Sequence, residues 1–260
     1  MSKQIQTPWL TSWQMSQSHA MNAPVSQPAK DDPYWGQSLA SVGVKTIDRT
    51  LSANANWDEI LQSGREEVAL ALSAAKMKTG RSLRLLDIGC GIGRLSYCLA
   101  EHFGEVVGVD IAEPMLVEAQ SHNSSTNVTF RPMSLTTIEP GQDGTYDTIF
   151  ANEVFHYLNW KTLTRYSEDA YRLLRPHGEY VFQMNMEPFS LVTRASLALR
   201  TVLYGIGVKQ WRGWPTSPQF MRHYHPASAV HTMLQNVGFQ DVRVATGRSI
   251  RQTWFVARRP

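Results

Sequence analysis

One local pattern restricts the fold of this 260-residue chain more than any other. The apolar run LRLLD, residues 83–87, opens into the turn IGCGIG, with glycines at 89, 91 and 93, and continues into RLSYCLAEHF. A strand, glycine turn and helix in this order let a ligand press against the backbone at a helix N-terminus, because glycine tolerates positive φ and has no side chain to hold the ligand off. A dinucleotide turn has its third glycine one place later, G-x-G-x-x-G, where this chain has Arg94. The next apolar run ends at Asp110, seventeen residues after Gly93. A carboxylate there accepts hydrogen bonds from both hydroxyls of a ribose. Together these features imply a nucleoside ligand other than a dinucleotide.

The rest of the chain alternates strand and helix. From Gly64, GREEVALALSAAKM sets Val68, Leu70, Leu72 and Ala75 in a helical rhythm that stops at Gly80. Runs rich in Val, Ile, Leu and Phe at 83–88, 106–109, 128–130, 148–150 and 180–182 read as buried strands. Between them, 95–103, 114–120 and 163–174 read as helices. The alternation predicts a parallel α/β sheet. Residues 187–225 break it with prolines, aromatics and a helix near 191–203, and read as a lid inserted after the fifth strand. A helix at 226–236 and strands at 240–245 and 253–257 close the chain, giving seven strands. Residues 1–33, rich in Ser, Gln, Pro and Ala, read as a disordered tail, leaving 34–260 as one domain.

Composition excludes several classes. A chain 42% hydrophobic and 18% charged is an ordinary globular one. Its longest apolar-looking stretch, 195–208, is broken by Arg200 and falls short of the roughly 20 residues a bilayer span needs; no membrane partner is expected. The N-terminal stretch lacks the apolar run of a secretory signal, and Cys90 and Cys98 alone make no disulfide framework, so a cytoplasmic location is expected. A net charge of +3 without a Lys/Arg cluster predicts no nucleic-acid partner.

The motifs resemble those of class I S-adenosylmethionine-dependent methyltransferases. Asp87, Gly89, Gly91, Gly93 and Asp110 match that family's acid, G-x-G-x-G turn and ribose acid, and VDIAEPML (109–116), YDTIFANEVFHYL (146–158) and RLLRPHGEYVF (172–182) continue in order. The resemblance implies a Rossmann-like fold, mostly parallel with helices on both faces, and S-adenosylmethionine as cofactor. It implies that Gly89, Cys90 and Gly91 approach the methionine part and that Asp110 takes the ribose. Ile111 and Met115 would flank the adenine, and Asn152 would lie under the sulfonium end beside Glu153. Ser134 and Leu135 stand where the family often has an acid near the adenine amino group. SGREEV resembles the lead-in of one branch, in which Arg65 pairs with the cofactor carboxylate; a helix-surface arginine is the other reading. His177 replaces a glycine usual in the family, at a turn remote from the chemistry.

Methyl transfer from a sulfonium is an in-line displacement, so the protein must hold the acceptor near the methyl group and exclude water. A hydroxyl acceptor also needs a base. Ligands in open α/β sheets lie beyond strand C-termini, which points to Asn152, Glu153, His156 and Tyr157 after the fourth strand. His156, with an ordinary pKa near 6.5, is the first candidate base, a packed histidine being the alternative; relatives often place a histidine at the position of Tyr157. His223 and His225 are further candidates for base, acceptor contact or helix-entry packing, and no third ligand at metal spacing accompanies them, so no metal is expected. Trp211, Trp214, Arg222 and Tyr224, with Phe220 and Arg212, are candidates to wall an acceptor pocket. Tyr34, Trp35 and Trp57 are candidates to cover the cofactor. The expected activity is methylation of a small molecule, on a hydroxyl of a sugar or secondary metabolite. N- or C-methylation, and a cofactor-binding regulatory protein without turnover, are the alternatives.

Overall fold

The computed structural model describes residues 51–52, 54–122, 125–134, 137–138, 143–212, 214–217 and 221–260. These all fall within the unit Asp32–Pro260; the expected tail 1–33, Tyr34 and Trp35 lie outside the described residues. In chain order the elements are α1 (Trp57–Ala75), β1 (Gly80–Ile88), α2 (Arg94–Leu99), β2 (Phe103–Asp110), α3 (Glu113–Ser121), β3 (Val128–Pro132), β4 (Tyr146–Ala151), a 3-10 turn (Phe155–Tyr157), α4 (Trp160–Leu173), β5 (Leu174–Met184), α5 (Leu191–Gly205), β6 (Gln210–Trp211), β7 (Trp214–Pro215), α6 (Ala227–Val237), β8 (Gln240–Thr246) and β9 (Thr253–Arg258).

Seven strands form one sheet in the order β3-β2-β1-β4-β5-β9-β8. The first five are parallel, and β9 runs antiparallel between β5 and β8. Period-two alternation assigns each strand's side chains to two cores. Leu86, Ile88, Val107, Ile149, Tyr180, Phe182 and Phe255 join α4 and α6 on one face. Leu85, Val106, Phe150, Val181, Trp254 and Val256 join α1, α2 and α3 on the other. The Rossmann-like sheet and the insertion after the fifth strand are as expected.

Element ends differ from the expectation for local reasons. The first helix starts earlier, because Asn56 and Glu59 form a reciprocal capping box, and ends earlier, because Lys76 turns left-handed at φ 50°. Gly80 is already strand, paired with Phe103. That pairing also takes Phe103 from the helix expected at 95–103, which stops at Leu99. β5 reaches back to Leu174, directly after α4, so the Pro176-His177-Gly178 turn lies within it. His177 there is exposed and left-handed at φ 66°. The hairpin of β6 and β7 inside the insertion gave no signal that was read from sequence.

Candidate active site

The sheet order reverses between β1 and β4, and the crevice beyond their C-terminal ends is where open α/β sheets bind ligands. Gly89, Gly91 and Gly93 line it with φ of +72, +56 and +79°. Two of them are also crowded: a Cβ on Gly89 would fall 2.4 Å from Val154 Cγ2, and one on Gly93 2.5 Å from Phe130 Cζ. A Cβ on Gly91 would meet nothing within 4 Å. Gly91 is therefore where the turn presents bare backbone to open space. Asp110 holds this point in place, accepting Gly91 N on Oδ2 and Ala112 N on Oδ1, each at 2.8 Å. An ionised carboxylate accepts at about four sites, so holding the turn is compatible with receiving ribose hydroxyls.

The side chains of Asp87 and Cys90, both expected at the cofactor site, are buried. Asp87 is 2% exposed, and Ser96 Oγ donates to its Oδ2 at 2.6 Å. Burial, opposed by the Ser96 hydrogen bond and reinforced by Asp110, raises its pKa to about 7. It buttresses the first turn of α2. The Cys90 thiol is also buried, and burial, then Asp110 and Asp87, push it well above the usual thiol range; Cys90 offers a ligand its backbone only. Arg94 is buried and donates to Ser63 Oγ at 3.2 Å, tying α2 to α1. A Cβ on Gly64 would sit 2.8 Å from Cys98 Sγ and 2.9 Å from Arg94 O, so the glycine of the GREEV lead-in permits this close helix contact. Arg65 is exposed on α1 and paired with Glu101, Nε to Oε1 at 3.0 Å.

At the expected adenine end, Ile111 packs partly buried against the main core. Met115 is buried with Ile60, Ile92 and Ala112, and Trp57 packs onto this cluster. Trp57 thus backs the glycine turn through Ile92, while its ring stacks on His122 at 3.9 Å. Ser134 closes a short turn, its Oγ accepting Thr137 N at 3.0 Å and its carbonyl accepting Tyr166 OH at 3.1 Å. Leu135 lies outside the described residues.

The loop after β4 gathers most of the remaining candidates. Asn152 Oδ1 is buried with no hydrogen-bond partner among the described residues. Glu153 is left-handed at φ 59°. Its N–H donates to Gln183 Oε1 at 3.1 Å, and Gln183 Nε2 donates to Arg251 O at 2.6 Å. This buried glutamine at the end of β5 fixes the loop, and it was not singled out from sequence as a site residue, although a polar side chain closing an apolar strand is the signal that marks it. Glu153 points its carboxylate at His156, Oε2 to Nε2 at 3.5 Å. His156 is 2% exposed, and its ring lies 4.4 Å from that of Tyr157.

The insertion is latched onto this loop at two points. His223 N donates to His156 O at 2.7 Å, and His225 Nε2 bonds Leu158 O at 2.9 Å. His225 is thereby an anchor, and among the described residues no three His, Cys, Asp or Glu side chains are grouped to hold a metal. Arg222 and Tyr224 converge on Phe189, a residue missed from sequence, at 4.6 and 6.3 Å. Arg222 Nη1 is buried without a hydrogen-bond partner among the described residues. Its pKa is lowered by desolvation, against the pull of Glu187, Tyr157 and Glu153. Trp211 lies on the β6–β7 hairpin, where Arg212 sits over its ring; Trp214 joins that hairpin through its backbone, and Phe220 lies outside the described residues.

A family profile described as a methyltransferase domain matches residues 85–178, the stretch from β1 through the start of β5 that carries the glycine turn, Asp110 and the loop after β4. That stretch, about a third of the chain, is similar to methyltransferase domains. Bacillus subtilis YqeM, which carries a methyltransferase name, is 33% identical over 105 residues, 39% of this chain and 42% of that protein. A ubiquinone biosynthesis O-methyltransferase of Leptothrix cholodnii is 33% identical over 79 residues, 29% of this chain and 34% of that protein. The chain thus spans well under half the length of these relatives. Among solved structures, the magnesium protoporphyrin IX methyltransferase of Synechocystis with bound SAH superposes with a TM-score of 0.57 at 19% identity, covering 86% of this chain and 97% of that one. That likeness is one of fold. Among the described residues no helix is long and apolar enough to cross a membrane.

Proposed function

We propose that the protein transfers the methyl group of S-adenosylmethionine to a hydroxyl of a small molecule such as a sugar or secondary metabolite. The observation that carries this reading is the juxtaposition, at one end of the sheet, of the open backbone at Gly91 clamped by Asp110 with the buried Asn152 Oδ1 and the Glu153–His156 pair. The donor set suits the cofactor: a carboxylate for ribose, bare backbone for close approach, and an unused amide oxygen for a polar hydrogen. When bound, S-adenosylmethionine supplies an electrophilic methyl group on a sulfonium.

The chain's own residues then have three tasks. Asp110 and the turn position the cofactor, and the insertion excludes water through its latch on residues 156 and 158. His156 would take the proton of the acceptor hydroxyl at Nε2. Glu153 Oε2, at 3.5 Å an ion-pair rather than a hydrogen-bond distance, stabilises the imidazolium and yields its place at Nε2 to the acceptor. Glu153 is itself solvent-exposed, which gives the proton a way out.

The relatives above include an O-methyltransferase by name, which supports oxygen as the acceptor atom. The test is to incubate the protein with carbon-13 methyl-labelled S-adenosylmethionine and fractionated small-molecule extract and to record the carbon spectrum of the product. A methyl resonance in the methoxy range is the expected result. A resonance in the N-methyl or C-methyl range refutes the hydroxyl assignment, and the absence of any labelled product across fractions refutes methyl transfer.

A further inference from the structure

The lid helix α5 turns its apolar side outward. Its inward positions, Thr193, Ser196, Leu197, Arg200 and Leu203, are buried or half-buried, and the rest of the helix is exposed. On the exposed side, Val192, Ala195, Leu199, Val202 and Ile206 recur at steps of three and four residues, forming one continuous stripe. Val192 is 79% exposed, Val202 62% and Ile206 72%, with Leu191 and Tyr204 also open to solvent. Single exposed apolar side chains are ordinary, whereas a contiguous stripe marks an interaction surface. The segment that carries it holds charges of one sign: residues 188–240 hold Arg194, Arg200, Lys209, Arg212 and Arg222 and no Asp or Glu.

We propose that α5 and the segment leading to the β6–β7 hairpin lie flat on an anionic lipid membrane, with the stripe sunk into the headgroup boundary and Arg194, Lys209 and Arg212 against lipid phosphates. An interfacial helix needs an apolar face, flanking cations and aromatics at its margin rather than the length of a span. At 15 residues α5 is about 22 Å long, too short to cross and ample to lie in the plane. Trp211 and Tyr204 supply amphipathic rings near its C-terminal end. Charge argues against a second copy as the occupant: pairing α5 with itself would bring Arg194, Lys209 and Arg212 of two chains together, with no carboxylate in the segment to offset them. The membrane reading is independent of the methyl-transfer reading, because the surface lies on the reverse of the lid and needs no cofactor.

The experiment is flotation of the full chain, without cofactor, on vesicles of phosphatidylcholine alone and of phosphatidylcholine with phosphatidylglycerol. Binding to the phosphatidylglycerol vesicles only, weakened by salt, is expected. Each cation near an anionic leaflet is worth a factor of about five in affinity, so Arg194→Gln with Lys209→Gln should weaken binding about 25-fold, and Val202→Glu with Ile206→Glu should abolish it. All four positions are exposed, so circular dichroism and melting should match the wild type. Absence of binding to the anionic vesicles overturns the proposal. So does a dimer in solution that Val202→Glu with Ile206→Glu splits while lipid binding is nil, since the stripe is then a self-association face, and so does equal binding by the variants, since lipid then meets another surface.

Discussion

The glycine turn after β1 and the insertion at 187–225, which is bonded to the loop after β4, are built on opposite principles. In the turn, backbone geometry decides identity: Gly89 and Gly93 combine positive φ with neighbours that leave no room for a Cβ, and the amides of Gly89, Cys90 and Gly91 are all held by Val109 or Asp110. The insertion is held at its end by two bonds to the loop after β4, and its helix leaves one side uncovered. A site for a fixed cofactor needs a preorganised backbone, whereas a site for a family-variable acceptor needs only a scaffold on which side chains change.

Substitutions can break or sharpen that contrast. The largest effect belongs to the loop both regions share: His156→Ala should lower kcat about 100-fold or more if the imidazole is the base, with S-adenosylmethionine affinity unchanged, as steady-state kinetics and calorimetry can establish. On the insertion side, Arg222→Ala removes a cation with a buried, unpartnered Nη1 and should raise KM for the acceptor about tenfold while the cofactor constant stays put. An equal loss of cofactor affinity would erase the distinction between the two halves.

Beneath the turn, Asp87 has a folded pKa of about 7 against an ordinary carboxylate value near 4. Over that interval the folded chain binds the extra proton, so the stability this group contributes is present below about pH 4 and is lost as pH rises through about 7. Asp87→Asn, which still accepts from Ser96, should flatten the decline in melting temperature across that window; an unchanged profile would show that Asp87 is ionised throughout. The smallest effect is a control remote from both regions. His177 at φ 66° occupies a left-handed conformation costing a non-glycine residue about 1 kcal/mol, so His177→Gly should raise the melting temperature by about 2–4 °C and move neither ligand constant.

Legibility in the sequence follows the same division. The turn could be read because three glycines, the acid at 110 and the apolar runs around them are local patterns with few physical alternatives. The motif places Asp87 beside the turn, but sequence adjacency does not tell that its side chain is buried against Ser96. Arg65 and Glu153 have partners, Glu101 and His156, that are chosen by packing rather than by local pattern, as is the bond from Gln183, thirty residues away from Glu153, that sets the loop. Phe189 and the orientation of α5 were invisible because the apolar residues of that helix serve its outward face, contrary to the usual rule that periodic apolar positions face the core.

On the reading proposed above, the turn and Asp110 hold S-adenosylmethionine. Titration calorimetry of the full chain with S-adenosylmethionine and with NAD, repeated on Asp110→Ala, tests it most directly. Saturable binding of S-adenosylmethionine, none of NAD, and a loss of at least about tenfold in affinity on removing the carboxylate are expected, since charge-assisted hydrogen bonds to the ribose go with it. Binding of NAD in place of S-adenosylmethionine, or an Asp110→Ala protein that is folded and binds S-adenosylmethionine as tightly as the wild type, would contradict it.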